Sequence, residues 1–284
     1  MNRRRFLQST LAASAAGPTL AQANETEFAG IIDTNVSLFR WPFRRLPLDE
    51  TEKLVTKLRL LGVTEAWAGS FESVFHRDLA SANARLVLEC GKFPGLVPIG
   101  TVNPAQPGWE SDLDWCASVE RMPGIRIFPT QQGYALDHTL LGQLLKRAAD
   151  AGLFVQLAVT LEDVRTQPEP MVTPDVDLRP LAEAMAKAPG ARVQLLNLRP
   201  RGSQLAELNA IPNLTFDTAR ADGVDGVASL LAATGPHRVL FGSHASFLIP
   251  EAALIRVHES DLEEKSLKAV LRENALKLRQ SGTA

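Results

Sequence analysis

Short apolar runs alternate along this chain with longer segments in which apolar residues return every third or fourth position. The first pattern predicts buried strands and the second amphipathic helices. Strands are expected at residues 29–36, 63–68, 96–102, 124–128, 154–159, 192–198, 214–217 and 239–241. Helices are expected at 49–61, 78–91, 109–119, 140–151, 178–188, 204–209 and 224–233, with 251–257 and 261–279 closing the chain. In the first helix Leu54, Leu58 and Leu61 share a face, and Gly62 stops it. Eight strands separated by helical segments point to a parallel sheet with right-handed crossovers. The predicted fold class is α/β, a single-domain (β/α)8 TIM barrel, an architecture that takes about 250 residues. An open doubly wound sheet is the alternative. It would carry a glycine-rich phosphate turn after the first strand, and none follows Ile32.

The first residues stand apart from this pattern. Arg3-Arg4-Arg5-Phe6-Leu7-Gln8 has the paired arginines, spacer and Phe-Leu of a twin-arginine signal. A weakly apolar stretch and the small-residue site Ala21-Gln22-Ala23 follow in the expected order. The division is therefore a signal peptide at 1–23 and the barrel at 24–284, with export to the periplasm expected. That pathway carries folded proteins. A formal net charge of -2 over 284 residues supplies no basic footprint for nucleic acid. No apolar run reaches the roughly 20 residues that span a bilayer. The expected partner is a small molecule. Cys90 and Cys116 fall on successive predicted helices, which leaves open either a disulfide or two buried thiols.

In a (β/α)8 barrel chemistry is carried where strands end, because the following loops converge on one mouth. The predicted strand ends carry Asp33, Asn35 and Ser37, then Ser70 and Glu72, then Asn103. After them come Arg126, Gln132 and Tyr134, then Gln156 with Asp163 and Arg165 in its loop, then Asn197, Asp217, Ser243 and His244. This ring is rich in amides and poor in metal donors. Zinc is held by imidazole, thiolate or carboxylate, and Asp33, Asp217 and His244 are the strong donors near the mouth. Asp33 has a second reading, as a carboxylate that fixes its loop by accepting backbone N–H groups. His76, His138, His237 and His258 lie away from strand ends. No His-x-His or His-Glu-x-x-His spacing occurs, nor a Gly-x-Ser-x-Gly nucleophile turn. Asp163 and Arg165 either clamp a substrate or pair on the surface. In Arg40-Trp41-Pro42-Phe43-Arg44-Arg45 an aromatic pair sits among arginines. It binds a carboxylate or planar group, with Arg40 and Trp41 as contacts, or it plugs the barrel edge.

Ile31-Ile32-Asp33, Gly124-Ile125-Arg126, Leu240-Phe241-Gly242-Ser243 and Asn274-Ala275 together resemble the amidohydrolase superfamily. The likeness is to its amidohydrolase-related branch of small-molecule hydrolases and non-oxidative decarboxylases, over about residues 28–280. In that family the first strand carries His-x-His, where this chain has Asn35 and Ser37. The fifth and sixth strands each give a histidine, where this chain has Gln156 and Asn197, and the eighth gives an aspartate, where it has His244. The resemblance implies a pocket for a small carbonyl compound and a divalent metal, zinc, that lowers the pKa of bound water to about 7. The metal ligands in this chain are unknown. A metal-free route implies His244 as general base, Asp217 or Asp33 orienting it, and Arg126, Asn197 or Gln156 on the oxyanion. Asn35, Arg40 and Trp41 complete the expected substrate contacts. Three readings follow: an exported hydrolase or decarboxylase, an inactive barrel that binds a small molecule or a partner protein, and a structural scaffold exported alongside another enzyme.

Overall fold

The computed structural model describes residues 30–199 and 202–280; the signal-like segment 1–23 lies outside the described residues. The strands are β1 (Ile31–Leu38), β2 (Val63–Ser70), β3 (Leu96–Pro98), β4 (Gly100–Thr101), β5 (Gly124–Ile127), β6 (Phe154–Ala158), β7 (Val193–Leu196), β8 (Leu214–Asp217) and β9 (Val239–Leu240). All pair in parallel, in the orders β1-β2-β3 and β4-β5-β6-β7-β8-β9. β3 and β4 are two halves of one predicted strand. Pro98 has no N–H to give the ladder; pairing to β2 runs through Pro98, with Ile99 N donating to Ala68 O at 2.9 Å, and pairing to β5 starts only at Gly100. At the other seam Thr34 N donates to Phe241 O at 2.9 Å, and Ser37 N to Ala245 O at 2.8 Å. These bonds bring the last strand back against the first, and the sheet closes as the (β/α)8 barrel.

Helices pack outside the sheet through the faces that the sequence predicts. Leu54 and Leu58 of the helix Thr51–Leu60, and Leu141, Leu144, Leu145 and Ala148 of the helix Thr139–Asp150, are all buried. Several ends differ from the sequence pattern. The helix expected at 178–188 is Leu181–Ala186, because Pro180 sits at its N-terminal boundary, where a missing N–H costs nothing. The helix expected at 261–279 is three pieces, with a π-type turn at Ala269–Glu273 between Glu264–Lys268 and Asn274–Gln280. Just after that turn, Asn274 Nδ2 donates to Pro236 O and Val239 O, both at 2.7 Å. The widened turn thus delivers a buried amide that ties the last helix to β9. Cys90 and Cys116 are free, buried thiols, and burial pushes both up to about 12.

The barrel interior has three layers. Ile32, Trp67, Ile99, Phe154 and Leu240 fill the floor, with Trp67 and Phe154 stacked at 4.8 Å and Ala275 and Leu278 of the last helix beneath. A polar layer lies above it. An aromatic layer built from the loops after the strands covers both. Among the described residues no helix is long and apolar enough to cross a membrane.

Candidate functional site

The polar layer starts from an irregularity in β1. Asp33 pairs with Ala66 and Val36 with Ala68, so β1 spends one residue more than β2 over this stretch. Such a bulge re-aims backbone and side chains at a strand end. Here it frees the carbonyl of Thr34, which accepts Gln156 Nε2 at 2.7 Å. A carbonyl only accepts, so this contact fixes the orientation of the Gln156 amide. Its Oε1 is then left to accept Arg126 Nε at 2.9 Å. Gln156 Nε2 also reaches Gln194 Oε1 at 2.9 Å, and Gln194 Nε2 donates to Thr34 Oγ1 at 2.8 Å. Arg126, Gln156 and Gln194 are lateral neighbours on β5, β6 and β7, which is why they link in a row.

A second chain of bonds crosses the strand ends. Asn197 Nδ2 donates to Thr160 O at 2.8 Å, which turns its Oδ1 toward Asn35. Asn35 Nδ2 donates to that oxygen at 2.8 Å and to Asp217 Oδ2 at 2.7 Å. Asp217 Oδ1 takes the backbone N–H of Asn197 at 3.0 Å. Asp33 Oδ1 accepts the backbone N–H groups of Asn35 and Ser243, each at 3.0 Å. Two glycines make room. A Cβ on Gly69 would lie 2.6 Å from Arg126 Nη1, and one on Gly242 would lie 3.0 Å from Asp217 and 3.1 Å from Asn35. Asn197 and His244 turn into the site with φ of 61° and 56°, a left-handed conformation that Asn and His adopt more readily than most residues.

This layer is sealed. Asp33, Asn35, Arg126, Gln156, Asn197, Asp217 and His244 are all at most 2% exposed. Burial raises the Asp33 carboxyl to about 6 and the Asp217 carboxyl to about 7, against the lowering effect of their hydrogen bonds. Burial brings Arg126 down to about 10, with Asp217 and Asp33 pulling the other way. Arg126 is therefore a charged guanidinium inside the barrel. Its Nη1 bonds Val36 O at 3.1 Å and Ser37 Oγ at 3.3 Å, while Nη2 and Asp33 Oδ2 have no partner among the described residues. His244 takes a different neighbour. Its Nε2 lies 2.8 Å from Leu161 O and so carries the proton, and burial lowers its pKa to about 3.

The aromatic layer covers the ring. Trp41 is 5% exposed and meets Phe43, Phe71, Phe75 and Phe247 at centroid distances of 5.0–5.5 Å. Beside this cap, a cleft of about 430 Å³ opens among the loops after β1, β6, β8 and β9. Arg44, Glu162, Asp163, Arg165, Arg220 and Phe247 line it. Arg44 pairs with Glu162 and sits 5.6 Å over the Phe247 ring. Arg165 pairs with Asp163 at 2.8 Å.

The sequence profile of the amidohydrolase family matches residues 42–278. The chain belongs to the amidohydrolase family. Solved structures of the same fold include 5-carboxyvanillate decarboxylase from Sphingomonas paucimobilis, with a TM-score of 0.69 and 12% identity over 88% of this chain and 98% of that one. They include 2,6-dihydroxybenzoate decarboxylase from Rhizobium, with 0.68 and 14% over 87% and 98%. A third is dihydroxybenzoic acid decarboxylase from Polaromonas, solved with manganese and 2-nitroresorcinol, with 0.69 and 12% over 90% and 98%. No curated protein sequence matches.

Within this amidohydrolase barrel the expected residues fall into three groups. Asp33, Asn35, Arg126, Gln156, Asn197 and Asp217 do converge in one buried layer, as two hydrogen-bonded chains that meet at β1. His244 is adjacent but makes no hydrogen bond to Asp217 or Asp33 among the described residues, so the orienting pair expected for a histidine base is not formed. The reason is the left-handed turn at His244, which aims the ring at Leu161 O. Arg40 is exposed and does not line the cleft; the arginine of its run that does is Arg44. Trp41 takes the plug position, because its loop folds it onto Phe71 and Phe75. Asp163 and Arg165 pair with each other, with the Arg165 side chain 84% exposed. Among the described residues no three His, Cys, Asp or Glu side chains are grouped to hold a metal. Sequence reasoning passed over Gln194, Arg220 and Phe247. Gln194 had a signal, a lone amide at an inward position of an otherwise apolar strand. Arg220 and Phe247 had none, since both lie in loops whose course the pattern leaves undefined.

Proposed function

We propose that this amidohydrolase is an exported barrel that binds a small molecule at its mouth without the family's metal-centred hydrolysis or decarboxylation. The contact of Asn35 Nδ2 with both Asp217 Oδ2 and Asn197 Oδ1 carries the reading. An amide N–H2 group repels a cation, and here it occupies the carboxylate that would have to bind one. Arg126 adds a fixed positive charge to the same space, so the ring already has its cation. Asp33 Oδ2 is the one uncommitted carboxylate oxygen, and one oxygen is short of the three protein ligands of a catalytic zinc. These residues do not fit the family's divalent ion, and no step is derived through it. The aromatic layer over the ring supports the same reading. The solved decarboxylases supply the class of compound to try, hydroxylated aromatic acids.

Elemental analysis of protein recovered after export, with and without added manganese, tests this directly. Substoichiometric metal is expected, with no carbon dioxide released from 2,6-dihydroxybenzoate. Stoichiometric metal that disappears in Asp33→Asn or Asp217→Asn would overturn it. The exported state is tested by the N-terminus of the periplasmic form, expected near Asn24. Paired Arg3→Lys and Arg4→Lys changes are expected to hold the precursor in the cytoplasm.

One observation favours the catalytic reading. The Asp33 and Asp217 carboxyls are raised to about 6 and about 7, the range suited to proton transfer at neutral pH. That reading requires turnover that falls at least roughly a hundredfold in Asp217→Asn. It also requires the aromatic layer to open.

A further inference from the structure

We propose that the cleft beside the aromatic cap is an oxyanion site centred on Arg220, which receives the carboxylate or phosphate of a small molecule with an apolar body. The proposal rests on the binding reading above and names the ligand chemistry that reading leaves open. Arg220 lines the cleft and is 8% exposed. Its Nε is buried without a partner, and the guanidinium has no ion pair or hydrogen bond among the described residues. The carboxylates around it give it no ion pair: Asp175 is exposed, and the others hold other arginines. Glu162 holds Arg44, and Asp163 holds Arg165 at 2.8 Å and Arg199 at 3.3 Å. Asp222 holds Arg256 at 3.1 Å.

A buried guanidinium without a counter-ion is costly, and arginine keeps its proton even so. Such a group in an open cleft marks the place where an anion completes the site. Three arginines line the cleft against two carboxylates, so its balance is positive. The planar fork of Arg220 suits the two oxygens of a carboxylate or phosphate. Phe247, Leu161 and Leu248 flank it and provide an apolar wall for the rest of the molecule. At about 430 Å³ the cleft is in the size range of a small-molecule site. It is also coupled to the ring below. Leu161, a wall residue, accepts His244 Nε2, and Phe247 lies 5.1 Å from the His244 ring.

The test is a calorimetric titration of the mature protein with sodium benzoate and, separately, with inorganic phosphate, together with the melting temperature of each mixture. Binding of at least one probe is expected, with affinity reduced roughly tenfold or more in Arg220→Met. Benzoate alone identifies a carboxylate site and phosphate alone a phosphate site. Without probe, Arg220→Met is expected to melt no lower than the parent, since it removes an unpaired buried charge. Arg220→Lys keeps the charge and loses the fork, so it is expected to fold and to bind more weakly. Failure of both probes, or unchanged affinity in Arg220→Met or in Arg220→Lys, would overturn the proposal. These readouts need no turnover. A bound metal or released carbon dioxide would sink the metal-free reading and leave this site standing, while absent binding does the reverse.

Discussion

The polar ring and the cleft beside it are built from the same residue types and behave in opposite ways. In the ring, one guanidinium, two carboxyls and four amides are buried together, and almost every donor has an assigned acceptor. In the cleft, the carboxylates are consumed by exposed arginines at the rim, and the deepest arginine is left without one. The first arrangement holds strand ends in place and offers little to a ligand. The second is under-compensated and accessible. Polar residues at a barrel mouth are thus no guide to ligand binding by number alone. What matters is whether their hydrogen-bonding capacity is already spent.

The strongest way to break this contrast is Arg126→Met. It leaves Gln156 Oε1, Val36 O and the charges of Asp33 and Asp217 without their partner in a dry layer. Removing one side of a buried charge network costs about 3–5 kcal/mol, to be read from urea unfolding. A loss near zero would mean that the ring is not a mutual scaffold. Gly69→Ala is expected to act in the same direction and less strongly, because its Cβ meets the guanidinium that Gln156 and Val36 hold.

Next in size is the cap. Trp41→Ala empties the centre of the aromatic layer and is expected to cost about 3 kcal/mol. Trp41→Phe sharpens the point, because Trp41 Nε1 has no hydrogen-bond partner to lose. It is expected to cost less than about 1 kcal/mol. If the two substitutions cost the same, the indole N–H rather than its bulk is what the layer needs.

The barrel itself was legible in the sequence because strand and helix periods differ and repeat eight times. Asp33, Asn35, Asn197 and Asp217 were found because strand ends of a barrel converge whatever their side chains. Their mutual bonding was not legible. It depends on the extra residue in β1 that turns Thr34 O inward, and the alternation of Ile31-Ile32-Asp33-Thr34-Asn35 gives no sign of a bulge. The direction of His244 depends likewise on one positive φ. The break at Ile99 was announced by Pro98, and the shortened helix after Pro180 by that proline. The site at Arg220 depends on where four loops end in space, and loop course follows from packing rather than from period.

Opposite in sign to one another are two pH dependences in and beside the ring. Asp33 and Asp217 have pKa values raised above their ordinary 3.8, to about 6 and about 7. The folded protein binds more protons than the unfolded chain between those limits. Their contribution to stability is therefore full below about pH 4 and is lost as pH rises through 6 and 7. His244 is lowered from 6.5 to about 3. The unfolded chain binds more protons there, so its contribution is full above pH 6.5 and is lost on acidification toward 3. Urea midpoints measured across this range should show Asp217→Asn flattening the neutral side and His244→Phe flattening the acid side. An unchanged slope in Asp217→Asn would mean that its carboxyl is not raised, and that the ring is wetter than its burial implies.

The smallest expected effect belongs to the cleft rim. Arg165 is mostly in water, and its pairing with Asp163 is screened there. Arg165→Ala is expected to leave the urea midpoint unchanged. It also frees one side of Asp163, whose carboxyl Arg165 holds well below the usual carboxylate range. Loss of the Arg165 charge leaves the cleft that Arg220 lines less positive, so benzoate or phosphate should bind more weakly, by less than in Arg220→Met. A rim residue that changes affinity and not stability, opposite a ring residue that changes stability, is the pattern the two regions require. If Arg165→Ala instead unfolds the protein as readily as Arg126→Met does, the rim pair is part of the scaffold and the division between the two regions fails.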